Sequence, residues 1–150
     1  MKHIIILLIT GLAIISCNET DKKPVTNAKQ DSLENVAMAD SSRYTTLQWL
    51  DSVNRDLGKI KEGQIVEIEW HFKNTGDKPL VISNVSAGCG CTVAGKPEAP
   101  IAPGKEDFIK AQFNSKNQHI GENQKTVTVV ANTMPQTTYT LSFRVEITNK

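Results

Sequence analysis

The feature that most constrains this chain is a two-residue rhythm. Between Thr138 and Ile147, Tyr139, Leu141, Phe143, Val145 and Ile147 alternate with Thr138, Thr140, Ser142, Arg144 and Glu146. Successive side chains of an extended strand point to opposite faces, so this pattern makes a strand with one dry face and one wet face. The rhythm recurs between Gln64 and Asn74, where Val66, Ile68, Trp70 and Phe72 alternate with Glu67, Glu69, His71 and Lys73. Shorter runs at Tyr44 to Leu50, Leu80 to Val85, Phe108 to Phe113 and Thr126 to Ala131 read as further strands. Turn residues separate them: Asn74-Thr75-Gly76-Asp77-Lys78-Pro79, then Pro97, Pro100, Pro103 and Gly104, then Gly121-Glu122-Asn123.

No segment after residue 43 carries a helical period. Six or seven short strands therefore predict an all-β fold, an immunoglobulin-like β-sandwich of about seven strands over residues 44–150. Trp70, Phe72, Phe113, Tyr139 and Phe143 supply most of its expected core. A chain of 150 residues has room for one such domain and a tail. With 17 Lys and Arg against 16 Asp and Glu, the net charge is +1, so no basic surplus drives nucleic-acid binding.

The N-terminal part reads differently. Met1-Lys2-His3 is a positive start, and Ile4 to Ile15 is almost wholly apolar. That run is too short to span a roughly 30 Å hydrocarbon core, and it has the length of a signal-peptide h-region. It ends in Ile14-Ile15-Ser16-Cys17, which resembles the lipobox of bacterial lipoproteins, where cleavage precedes the Cys and its thiol is acylated. Residues 1–16 are thus expected to be a lipoprotein signal peptide, with Cys17 lipidated and holding the protein to a membrane. Residues 17–43 are expected to be the lipidated Cys and a flexible polar tether. Its Asn18–Ser42 stretch carries three Lys against five Asp or Glu. Such a spacer of 25 residues has an end-to-end distance of about 25–30 Å. Within it, Asp31-Ser32-Leu33 resembles an O-glycan acceptor and is read as a chance tripeptide.

Several stretches of the domain line up with one family. They are Leu57-Gly58-Lys59-Ile60-Lys61-Glu62-Gly63, Phe72-Lys73-Asn74-Thr75-Gly76-Asp77-Lys78-Pro79-Leu80-Val81-Ile82, Gly88-Cys89-Gly90-Cys91-Thr92, Pro100-Ile101-Ala102-Pro103-Gly104 and Ile109 to Phe113. Over residues 44–148 the chain resembles the domain of unknown function 1573, common in lipoproteins of Gram-negative bacteria. The resemblance implies an immunoglobulin-like sandwich and export, and it implies no reaction. Leu57 stands where the family often has Phe, a change confined to packing.

Cys89-Gly90-Cys91 is the one constellation with chemical potential. Residues two apart on a strand share a face, and Gly90 permits a bend, so the two thiols can converge. Three readings stay open. Lipidation of Cys17 leaves an even pair, which suits a disulfide in an oxidising compartment. Two soft thiolates suit Cu(I) or Zn, although zinc wants four ligands and a wider spacing. The third reading is two small side chains packing at a strand end. His71 and His119 are the His residues left after cleavage, and both read as solvated.

Searches for enzymatic motifs find no G-x-S-x-G, phosphate loop, H-E-x-x-H or dinucleotide fingerprint. Glu67 and Glu69 read as a solvated strand face rather than an acid–base pair, and Asp51, Asp56 and Asp77 as residues of loops or strand ends that turn chemistry explains. A glycosidase or protease accessory role finds no cleft-forming insertion to support it. The expectation is therefore a lipid-anchored, non-enzymatic module in the cell envelope, at the Gram-negative outer membrane, facing the periplasm or the cell surface. It would bind or support an envelope protein or a glycan, with no catalytic residue, cofactor or metal. The alternative is a thiol-redox or metal-handling envelope protein that uses Cys89 and Cys91.

Overall fold

Alternating strands bury their apolar faces only by stacking one sheet on another. In the computed structural model, which describes residues 27–149, they do so as two four-stranded sheets. Cys17, the 1–16 leader and the first part of the expected tether lie outside the described residues. The strands are β1 (Leu47–Trp49), β2 (Asn54–Lys61), β3 (Ile65–Asn74), β4 (Ile82–Ala87), β5 (Thr92–Gly95), β6 (Glu106–Asn114), β7 (Gly121–Ala131) and β8 (Thr138–Thr148). One sheet has the order β1-β3-β6-β5 and the other β2-β8-β7-β4. Neighbours are antiparallel except β2, which runs parallel to β8. The chain is thus an eight-stranded β-sandwich.

The alternation dictates the core. Trp70, Phe72, Ile109 and Phe113 from one sheet meet Val127, Val129, Leu141, Phe143 and Val145 from the other, all fully buried. Phe113 and Phe143 close the gap edge to face at 5.3 Å. Tyr139 is half-buried, touches Trp49 at 5.8 Å and donates its hydroxyl to Thr133 Oγ1. Trp49 and Trp70 bury their indole N–H groups without a hydrogen-bond partner among the described residues. Each such group costs about 1–3 kcal/mol, offset by the large ring area removed from water.

Two buried asparagines fix the loops. Asn74 Nδ2 donates to the carbonyls of Lys78 and Ile101, at 2.8 and 2.9 Å. Its Oδ1 accepts from Thr45 Oγ1 and from Gly76 N–H. Gly76 must be glycine, because a Cβ there would stand 2.8 Å from the Thr46 nitrogen. Asn132 does the same work between other loops: its Oδ1 accepts from Val81 N–H, and its Nδ2 donates to the Arg43 and Pro79 carbonyls.

The sequence leads one to expect an irregular tether up to residue 43, and over its second half the structure differs. Asn27–Ala39 forms α1, followed by a 3-10 turn at Ser41–Arg43 in which the Ser42 N–H is capped by Asp40 Oδ1. The stretch holds no Gly or Pro and is rich in helix formers. A 13-residue helix is marginal alone, so docking must sustain it. Ala37 is buried, Lys96 Nζ reaches Glu34 at 2.6 Å and the Ser83 carbonyl at 3.0 Å, and Tyr44 donates to the Met38 carbonyl.

Candidate functional site

The Gly88–Cys91 corner joins the two sheets, because β4 is an edge of one and β5 an edge of the other. Gly88 donates its N–H to the Thr126 carbonyl, and a Cβ on it would lie 2.9 Å from Thr126 Oγ1. That close approach explains the glycine. Gly90 faces open space. Thr92 N–H closes a turn onto the Cys89 carbonyl, and the Cys91 carbonyl accepts from Asn114 N–H. Held in this way, Cys89 and Cys91 are joined by a disulfide with Cα atoms 5.4 Å apart. The structure therefore takes one of the three readings left open by the spacing.

Both cysteines are half-buried, but they are not equivalent. Cys91 packs on the hydrophobic core and lines an open cleft of about 340 Å³ with Gly90, Asn114, Lys116, Asn117 and Gln118. Cys89 is not among the residues of that cleft. The buried Thr92 places its Oγ1 3.6 Å from Cys89 Sγ and 3.9 Å from Cys91 Sγ. A ring closed across three residues removes little chain entropy from the unfolded state, about 1.5 kcal/mol. Neither His71 nor His119 comes to the pair, and the described residues hold no cluster of three or more His, Cys, Asp or Glu suited to a metal. His119 stays in its exposed loop, where its carbonyl accepts from Asn123.

A second cluster lies on the outer face of the β1-β3-β6-β5 sheet. His71 is half exposed. Asp51 Oδ2 accepts its backbone N–H at 2.8 Å and its ring Nδ1–H at 2.7 Å. Arg55 stands 3.6 Å from the same oxygen and donates to the Glu69 carbonyl. The hydrogen bonds from the His71 backbone and ring hold the Asp51 carboxyl below its ordinary range. Asp51 is therefore more than a turn residue, and His71 more than a solvated one. The outward alternation of β3 was the sequence signal for His71; nothing local marked Asp51 as its partner. Phe108 lies opposite His71 in register, with ring centroids 5.7 Å apart, and stays 40% exposed.

Around this aromatic spot, Lys110 bonds Glu67 at 2.9 Å and Lys73 bonds Glu106 at 3.2 Å. The Lys110 hydrogen bond lowers the Glu67 carboxyl, and the Arg144 hydrogen bond at 2.6 Å does the same for Asp56 on the opposite sheet. Ion-paired carboxylates of this kind are held ionised, the reverse of what a general acid needs. A third feature is a cavity of about 250 Å³ beneath α1, walled by Ala37, Pro79, Val81 and Pro100, with Arg43, Lys78 and Asn132 at its polar side.

Two stacked four-stranded sheets give the chain an immunoglobulin-like β-sandwich fold. The chain belongs to the family described as protein of unknown function (DUF1573), which matches residues 48–147. No curated protein matches the sequence. Among solved structures, the chain is similar to a protein of unknown function from Porphyromonas gingivalis W83, with TM-score 0.62 and 14% identity over 71% of this chain. It spans about half of that protein's length, 49%. It is also similar to the ASH / PapD-like domain 7 of human CEP192, with TM-score 0.54 and 10% identity over 96% of this chain and 98% of that one. A third similarity is to the secreted serine protease VesC from Vibrio cholerae, with TM-score 0.52 and 14% identity, covering 78% of this chain and 25% of VesC. At these identities the likeness is one of fold.

Proposed function

We propose that this protein is a lipid-anchored, non-enzymatic binding or scaffold module of the bacterial cell envelope, held at the membrane through Cys17. The anchor rests on the charged start, the apolar run of Ile4 to Ile15 and the Ile14-Ile15-Ser16-Cys17 junction. Among the described residues no helix is long and apolar enough to cross a membrane. The observation that carries the binding role is the β3–β6 outer face. Phe108 is exposed at its centre beside His71, and the surrounding charges are already paired into Lys–Glu bridges. An aromatic anchor inside a polar rim is the anatomy of a protein-binding surface, and a flat face with few enclosed groups suits contact rather than turnover. The partner is another envelope component, a protein or a glycan.

The test has two parts. Cys17→Ser should move the protein from the membrane fraction to the soluble fraction. A photo-crosslinking residue at position 110 should trap an envelope component, and Phe108→Asp should abolish that adduct. The same crosslinker at Thr140, on the opposite sheet, is the control. Equal adducts from both positions, or none from either, would remove the β3–β6 face as the binding surface.

A further inference from the structure

The corner that joins the two sheets carries a chemistry that partner binding does not use. We propose that the Cys89–Cys91 disulfide is a thiol-exchange site for a dithiol reductant, in which Cys91 is the sulfur attacked and Cys89 the sulfur that leaves. This inference is independent of the β3–β6 binding face.

Three observations carry it. First, the two half-buried cysteines sit differently: Cys91 lines the open cleft with Lys116, Asn114, Asn117 and Gln118, and Cys89 is not among the residues of that cleft. Lys116 adds a positive charge where an incoming thiolate would approach. Second, the leaving side has a donor in place. Thr92 Oγ1 is 3.6 Å from Cys89 Sγ, and its buried hydroxyl can turn toward the charge that develops there. Third, closing the ring contributes little to what holds the fold together. The ring closes only three residues, while the core is built from strands that the corner merely connects. A disulfide that carries the fold would lack the freedom to open.

A thiolate of the dithiol attacks Cys91 Sγ, forming a mixed disulfide as the Cys89–Cys91 bond breaks. The electron pair leaves on Cys89 Sγ, which takes a proton from solvent. The second thiol of the reductant, deprotonated, then attacks its own partner sulfur and releases Cys91 as a thiol. Two electrons and two protons pass from the dithiol, which closes into a disulfide, to the Cys89/Cys91 pair. The open corner then lies between the β4 and β5 edge strands.

The experiment uses the full chain carrying Cys17→Ala, so that only this pair reacts. Dithiothreitol should yield two alkylatable thiols while the near-ultraviolet circular dichroism of Trp49 and Trp70 stays native. With glutathione as a single-thiol reductant of the intact pair and an acid quench, the mixed disulfide should be captured on Cys91 at least about fivefold faster than on Cys89. Thr92→Val should slow dithiothreitol opening several-fold, and Thr92→Ser should restore it. Equal or reversed capture rates overturn the assignment of Cys91. A pair that opens only when the aromatic signal is lost overturns the exchange site itself.

Discussion

Asn74 offers the sharpest test of what holds the loops to the sandwich. Asn74→Ala removes two donors and one double acceptor in a single step. Two of the four bonds, to Thr45 Oγ1 and to the Ile101 carbonyl, are buried, and the other two, to the Lys78 carbonyl and from Gly76 N–H, are partly buried. A buried group left unpaired loses more than the roughly 1 kcal/mol net value of an average hydrogen bond, and a group that can rehydrate loses less. The expected destabilisation is about 4 kcal/mol, a large part of the 5–15 kcal/mol typical of a domain. For a sandwich of this size that lowers Tm by roughly 15 °C. Asn74→Asp should be equally damaging at neutral pH, because an oxygen would replace the donor that faces two carbonyls. Asn114→Ala is the control: it is exposed and its side chain accepts one bond, from Lys116 N–H, so it should cost about 0.5 kcal/mol. Urea unfolding followed by tryptophan fluorescence reads all three. If Asn74→Ala costs less than about 1.5 kcal/mol, or no more than Asn114→Ala, the loops are not held by this side chain.

Three further outcomes are expected. Gly76→Ala should destabilise by about 2–3 kcal/mol in the same assay, since the new Cβ is driven against the Thr46 backbone nitrogen; a neutral result would mean that the turn can shift. Asp51→Asn should lower Tm at pH 7, and its deficit against the natural chain should vanish in acid: the folded carboxyl lies below its ordinary range, so its contribution is complete above about pH 4 and is lost as the pH falls through the folded value. A deficit that does not shrink as the pH falls would show that the carboxylate charge is not what His71 recognises. Lys96→Ala breaks the bridge to Glu34 and the bond to the Ser83 carbonyl, and limited proteolysis should then cut within α1 several-fold faster while the sandwich keeps its Tm. An unchanged cleavage rate would place the hold on α1 elsewhere.

The long strands were legible because their faces differ. β3 and β8 alternate over ten or more residues, and each inward position named from the pattern is buried except Val66 and Tyr139, which are half-buried. β2 was not legible. It is an edge strand in which Ile60 alone is fully buried, and the register shift between Asp56 and Lys59 breaks its phase. β5 is only four residues long and has Pro97 close behind it. α1 was hidden because its composition resembles a spacer; among its described side chains, the buried Ala37 and the Glu34–Lys96 ion pair dock it to the sandwich. At the candidate site, the spacing allowed Cys89 and Cys91 to meet but could not choose among a disulfide, a metal and packing. The Asp51–His71 contact joins residues 20 apart and depends on β1 laying its end beside β3.

The parallel pairing of β2 with β8 has a temporal consequence. Ser142 Oγ donates to Asn54 Oδ1, 88 residues upstream, and β8 pairs with β7 on its other side. The second sheet therefore cannot assemble until residues 138–148 exist. At about 5–20 residues per second of synthesis, β2 waits on the order of five to twenty seconds for its partner. Such non-local β topologies also fold slowly, in milliseconds to seconds, once the partner strand is present. During that wait a conventional apolar strand would be an aggregation hazard. Arg55, Asp56, Lys59 and Lys61, with Gly58 at positive φ, make β2 a poor template for wrong pairing. The same charges that conceal this strand from pattern reading protect the chain while it is incomplete.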